Sequence, residues 1–369
     1  MATKLAKFEF QQGFHRETTA YAEGQRWFDG NYVRFRAGRP ENMRGYETRA
    51  SGTTFDGSAR DLLTWSDSDS KKRAIFGTPD KLYVNEGDVI YDITPITTAV
   101  TLANVFGTSS GSTRVCCSDA GHGRAVGDYV LFTSSAAFNA VSLQGNTYQV
   151  VSVDSANVFT ISVTGAANAT GSDAGSATFN YYIPTGSSIA AAGLGYGAAR
   201  YQATVCASQT RAWNQPASAG SSGIVFDITQ WSLDNWGEDV VANRKGSNIF
   251  YFDSDASVLP TRATSVTTSP IKSNSIIVSP NDRHLICLGT NEFAADATVS
   301  GTFNPMLVRW SDQDDRSNWV PSVSSTAGEV VLTDGTEIIG AVRSKNAINI
   351  WTDNSLWLME FAGPPFTFR

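Results

Sequence analysis

Cysteine is scarce in this 369-residue chain, and none of its four cysteines forms a Cys-x-x-Cys pair. Cys116, Cys117, Cys206 and Cys287 therefore carry no zinc or redox signature, and their pattern fits synthesis in a reducing cytosol. His15, His122 and His284 stand far apart, without ligand spacing, so no metal site is expected. Charge is thin as well: charged residues make up 17% of the chain and the net charge is −7. That balance argues against the dense basic face that sequence-specific duplex binding requires, while leaving room for a conduit that nucleic acid traverses without sticking. Gly-x-Ser-x-Gly, His-Glu-x-x-His and Walker-type loops are missing, and GLGYG at 193–197 lacks the strand-to-helix setting of a dinucleotide loop. Glu238 and Asp239 are carboxylates without a readable partner, so no catalytic residue is nominated, and no cofactor is expected. Long apolar runs are absent too. Nothing approaches the ~18 uninterrupted apolar residues of a spanning helix, and MATKLAKFEFQQG has no apolar h-region, so no secretory signal is expected. Amphipathic helical stretches are nearly lacking, and the best of them, SSIAAAGLGYGAARYQAT (187–204), is interrupted by its glycines.

What remains is β-forming sequence. Short β-branched and aromatic runs alternate with Gly-, Ser-, Asn- and Asp-rich turns, which predicts an all-β protein. Residues 60–95 read as four strands, DLLTW, RAIFGT, KLYVNE and VIYDIT, separated by SDSDS, TPD and EGD. Four short antiparallel strands in about 40 residues is the size of one propeller blade. NRKGSNIFYFDSDASVLPTRAT (243–264) echoes that pattern. NDRHLICLGTN is expected to pair with NPMLVRWSDQ, and INIWT with LWLMEF across the turn DNS. Between these lies a block at about 98–183, poor in charge and rich in small residues, with strand alternation in YVLFT, TYQVVSV and VFTISV. It reads as a small β-sandwich or barrel inserted into a β-propeller-like domain. The expected division is 1–97 for the N-terminal strands and first blade or blades, 98–183 for the insert and 184–369 for the remaining blades.

Three tryptophan turns recur: WSDSDSKK at 65–72, WSLDNWGE at 231–238 and WSDQDDRSNW at 310–319. Removing the 86-residue block from the 166 residues between Trp65 and Trp231 leaves 80, against 79 between Trp231 and Trp310, the length of two blades. A calcium loop through Asp312, Asp314 and Asp315 would need a Gly and a late bidentate Glu, which are missing. The Asp box of sialidase-type propellers is matched by Ser232 and Asp234, but Trp236 stands where that box needs Gly. The favoured reading is a blade-edge turn in which Trp310 and Trp319 pack between sheets while Ser and Asp side chains cap the backbone.

Residues 1–60 hold ten Lys/Arg against seven Asp/Glu, about +3, which leaves about −10 for the rest. In YVRFRAG, Arg34 and Arg36 fall on one strand face and Val33 and Phe35 on the other, with GRPENMRG following as a turn. Arg26, Arg34, Arg36, Arg39 and Arg44 form a candidate face for carboxylate or phosphate partners. Together with Trp310, Asp312, Asp314, Asp315 and Trp319 they are the candidate subunit or adaptor interface.

GQRWFDGNYVRFRAGRPENMRGYE (24–47) resembles the N-terminal signature of tail nozzle proteins of short-tailed bacteriophages, also described as packaged-DNA stabilisation proteins. Trp27, Asp29, Val33, Arg34, Phe35, Arg36, Gly38, Pro40, Glu41, Gly45 and Tyr46 carry that resemblance. RWSDQDDRSNWVPS and INIWTDNSLWLMEFAGPPFTF resemble later blades of the same proteins, and 113–163 resembles a small β-module that recurs in virion proteins. The resemblance implies a non-enzymatic, propeller-like homo-oligomeric ring, commonly a hexamer, below the portal and adaptor at the distal end of a short tail. It implies docking to tail fibre or needle proteins, passage of genomic DNA without sequence specificity, and a place in the virion tail after synthesis in the host cytoplasm. The chain stops at GPPFTFR just after a strong strand pattern, so a longer product, or closure by a neighbouring chain, is expected. Two rival readings share the fold: a carbohydrate-binding or glycan-cleaving propeller of a phage tail, and a decoration or fibre-docking virion protein.

Overall fold

The computed structural model describes residues 11–16, 19, 21, 26–43, 54–183, 230–255, 259–294, 301–363 and 367–369. All regular structure among them is β-strand. The chain divides into two units, 1–52 and 53–369. Arg44 and the glycine-interrupted run 187–204 lie outside the described residues.

In the first unit, β1 (Val33–Arg36) and β2 (Arg39–Asn42) form an antiparallel hairpin. Its two-residue turn, Ala37-Gly38, has φ of 51° and 79°, the left-handed pair that closes a twisted hairpin. GRPENMRG was expected to be the turn; only its first residue, Gly38, belongs to the turn, and Arg39–Asn42 form the second strand. Pro40 tolerates β2 because a two-stranded hairpin leaves an edge that needs no N–H there.

The second unit opens with a four-stranded meander, β3 (Asp61–Ser66), β4 (Lys72–Gly77), β5 (Leu82–Glu86) and β6 (Val89–Asp92), matching the four runs read from sequence. Six strands then close a barrel: β7 (Val100–Thr108), β8 (Arg114–Ser118), β9 (Tyr129–Ser135), β10 (Thr147–Ser155), β11 (Val158–Ser162) and β12 (Gly171–Tyr181), in the order β10-β11-β8-β7-β12-β9. Phe106, Phe132, Phe138, Phe159 and Phe179 fill it, with Phe106 stacked on Phe138 at 4.3 Å. Cys117 points into that core. Cys116, its chain neighbour and therefore on the other face, is disulfide-bonded, so the expectation of reduced thiols fails at that position. Cys117 and Cys287 are free and buried.

Three further sheets follow. The second comprises β13 (Trp231–Trp236), β14 (Asp239–Arg244), β15 (Ile249–Phe252) and β16 (Thr264–Ser265). The third comprises β17 (Ser273–Val278), β18 (Leu285–Asn291), β19 (Phe303–Trp310) and β20 (Gly328–Val331). The fourth has β21 (Ile338–Arg343), β22 (Ala347–Thr352) and β23 (Leu356–Glu360). Separate apolar cores cement the first sheet to the second, the second to the third and the third to the fourth. Among the described residues no such core joins the first sheet to the fourth. The result is a β-propeller-like stack of meander sheets interrupted by a closed barrel.

The tryptophan spacing does not measure this repeat. Trp65 lies near the end of a first strand, Trp231 at the start of one, and Trp310 at the end of a third strand. First strands begin at 231, 273 and 338, intervals of 42 and 65, the longer one containing the loop after Trp310.

Candidate functional site

The first strands of the four sheets, β3, β13, β17 and β21, are tied by a polar seam. Asp61 Oδ2 accepts the Leu233 N–H at 3.2 Å. Ser232 Oγ donates to the Ile276 carbonyl at 2.8 Å and accepts the Ile276 N–H at 3.1 Å. Asp234 Oδ2 accepts the Val278 N–H at 2.6 Å, and its Oδ1 pairs with Arg343 at 2.7 Å. One carboxylate on the second sheet thus holds both the third and the fourth. Burial pushes the carboxyls of Asp61 and Asp234 above the usual range, against the opposing pull of their N–H donors and, for Asp234, of Arg343. Ser232 and Asp234, the two residues that fit an Asp box, serve inter-sheet bonding instead.

The loop after β19 is a surface turn anchored by two buried tryptophans. Trp310 Nε1 donates to the Thr326 carbonyl and Trp319 Nε1 to the Arg316 carbonyl, both at 2.8 Å. Both rings are buried, Trp319 to 2% exposure. Asp312 accepts the Thr326 N–H at 2.8 Å, the Thr326 hydroxyl at 2.6 Å, the Gln313 N–H at 2.9 Å and Asn318 Nδ2 at 3.0 Å. Four donors surround it, the electrostatic opposite of a cation ligand. Asp314 and Asp315 face solvent, with Asp314 paired to Arg283 at 3.2 Å and Asp315 capping the Ser317 N–H at 2.8 Å. Of the five loop residues nominated as an interface, these two acids offer surface to a partner, while the two tryptophans turn inward.

Below the loop sits a fully buried His284, bonded to Asp282 through Nδ1 and to the Thr326 hydroxyl through Nε2 at 3.0 Å. The spacing of histidines in the sequence carried no sign of this, because Thr326 is brought to it by the pairing of β18, β19 and β20. His122 behaves as a loop pin. Its Nδ1 accepts the Arg124 N–H at 2.9 Å, so Nε2 donates to the Ser155 carbonyl at 3.1 Å.

Asp312 gives a pH test. Burial acts to raise its carboxyl, but the Thr326, Gln313 and Asn318 donors outweigh it and hold the carboxyl below the usual range. A lowered folded value means stabilisation that is present above the unfolded carboxylate value and lost as pH falls. Asp312→Asn is expected to cost about 1–2 kcal/mol at pH 7. The gap from the parent protein should close below about pH 4. Urea midpoints of both proteins at pH 7, 5 and 3 check this; a gap that widens on acidification would refute it.

In the first unit, the alternation read from sequence holds. Arg34 and Arg36 are exposed, while Val33 and Phe35 are half-buried, Phe35 lying edge-on to Phe14 at 5.3 Å. Arg34 meets Glu41 at 3.0 Å, an exposed pair of little energetic weight. Arg36 stands directly opposite Arg39, a like-charge juxtaposition that disfavours the hairpin by itself. Arg26 is exposed.

The fourth sheet carries an exposed apolar face. Trp351 pairs with Leu356 and Asn349 with both Val342 and Leu358, so Val342, Trp351, Leu356 and Leu358 share that face. Leu356 and Leu358 are each 60% exposed. The opposite face is the buried core shared with the third sheet.

Among the described residues no helix is long and apolar enough to cross a membrane. Fold and seam together define an all-β, propeller-like protein with an inserted barrel. Neither a protein-family model nor a curated protein matches the chain. A solved structure, the phage phi92 endosialidase, aligns at 15% identity and a TM-score of 0.21, over 89% of this chain and 44% of its own. The chain therefore spans less than half the length of that enzyme, and a likeness at this level assigns no activity.

Proposed function

We propose that the chain is a structural subunit of a bacteriophage tail, of the nozzle type, assembling as a ring through which the genome leaves. The observation that carries this reading is the exposed apolar face of the fourth sheet. An apolar face on a three-stranded sheet, backed by a well-packed core, supports a surface that is covered in an assembly. The sequence signature at 24–47 supports the tail assignment, and the open basic face of Arg34, Arg36 and Arg39 supplies a second contact suited to an acidic partner surface. The net negative remainder of the chain suits a lumen that repels phosphate and lets DNA slide.

The test is incorporation into particles. Trp351→Glu with Leu358→Glu, and separately Arg34→Glu with Arg36→Glu, should leave the isolated fold intact, because all four side chains are exposed. Each pair should reduce incorporation into tails at least about tenfold, the effect of ~1.4 kcal/mol of lost contact. Immunogold labelling of the barrel should mark the distal tail tip. Normal incorporation of both variants, or label on the capsid, would refute the nozzle reading.

A further inference from the structure

The barrel joins the sheet stack through a narrow neck. Ile96 bridges Tyr182, the Thr97 N–H donates to the Tyr181 carbonyl at 2.8 Å, and the Ile183 N–H to the Pro95 carbonyl at 2.9 Å. Two paired segments of this length bend and twist readily. The barrel core and the core between the first two sheets are separate clusters, so no large apolar interface sets the angle between them. Relative motion is the default for such a junction.

Two cations from the stack oppose it. Arg262, which precedes β16 in the second sheet, donates to the Tyr182 hydroxyl at 2.9 Å and to the Thr94 carbonyl at 2.7 Å, and meets Asp92 at 3.3 Å. Its guanidinium lies 4.8 Å from the Tyr182 ring centre. Lys81, in the turn between β4 and β5, reaches Asp56 at 2.8 Å and lies over the rings of Tyr129 at 4.9 Å and Tyr182 at 5.7 Å. Tyr129 belongs to β9 of the barrel, and Tyr182 donates its own N–H to the Tyr129 carbonyl at 3.0 Å. The Tyr182 hydroxyl donates to Asp92 at 2.9 Å, and the two tyrosine rings meet edge to face. Lys81 and Arg262 retain only 12% and 24% of their side-chain exposure, so these contacts are partly dry and stronger than surface pairs.

We infer that Lys81 and Arg262 clamp the base of the barrel, through Tyr129 and Tyr182, at one angle on the sheet stack, and that opening this clamp turns the neck at 95–97 and 181–183 into a hinge. Arg262 comes from the second sheet while the neck leaves the first, so the clamp forms only when those two sheets are packed. Barrel orientation thereby reports the assembly of the stack. The clamp does not depend on the tail assignment.

The test is a distance distribution between nitroxides carried on non-cysteine unnatural residues at positions 153 in β10 and 89 in β6, both exposed. The parent protein should give one narrow peak. Lys81→Met with Arg262→Ala should broaden it about twofold or more, with the strand signal in circular dichroism unchanged. Tyr182→Phe, which keeps the ring and loses the hydroxyl, should fall between. A narrow peak at the parent distance in a folded double variant would overturn the clamp. Should the double variant fail to fold, Arg262→Lys and Tyr182→Phe decide: broadening supports the clamp, and an unchanged peak in both overturns it.

Discussion

Replacing Gly77 with alanine should cost about 3 kcal/mol or more of folding stability. Gly77 ends β4 in the first sheet, and a Cβ there would lie well under 3.0 Å from Trp231 Cγ and Cδ1. No heavy-atom contact survives at that separation, so ring or strand must move. The ring is held: Trp231 Nε1 donates to the Thr78 carbonyl at 2.8 Å and the side chain is buried among Trp65, Ile75, Val240 and Phe250. The requirement is steric and inter-sheet, since Gly77 does not adopt a left-handed φ. Trp231→Leu should also destabilise, by leaving a cavity, yet combined with Gly77→Ala it should cost much less than the sum. Urea midpoints of the four proteins measure the coupling. Strict additivity would mean that the first two sheets separate freely and that Trp231 is not wedged against Gly77.

Arg73→Met should cost about 3–5 kcal/mol. The side chains of Arg73 and Asp67 are each 3% exposed and meet at 3.0 Å. Arg73 also donates to the Ser254 carbonyl of the second sheet at 2.9 Å and pairs with Glu86. Methionine fills much of the volume but leaves the Asp67 carboxylate buried without its cation. Asp67 keeps a separate task, accepting the Lys71 N–H at 2.8 Å to close the turn between β3 and β4. An asparagine side chain at this position can still accept that bond without carrying a charge. The double variant Asp67→Asn with Arg73→Met should therefore recover at least half of the loss. Thermal and urea denaturation read both outcomes, and a near-neutral Arg73→Met would show that water reaches this pair.

Sequence alone settled what depends on neighbours along one strand. Alternation placed Arg34 and Arg36 on a face opposite Val33 and Phe35, and turn chemistry separated β3 to β6 almost to the residue. The pairing of β18 with β19 was legible because the two are consecutive strongly apolar runs along the chain. Three aspects were decided only by the tertiary structure. The barrel closes because β9 pairs with both β10 and β12, and strand periodicity does not say which distant edge a strand will meet. The tryptophan turns looked equivalent and are not, since a local motif does not reveal which strand of a sheet bears it. Asp234 read only as part of an incomplete Asp box, and nothing local marks Asp61 or Arg343; their roles appear once the sheets bring their first strands together. Periodicity is a property of two or three residues. The free energy of a buried carboxylate depends on donors contributed from more than forty positions away, and only packing sets those distances.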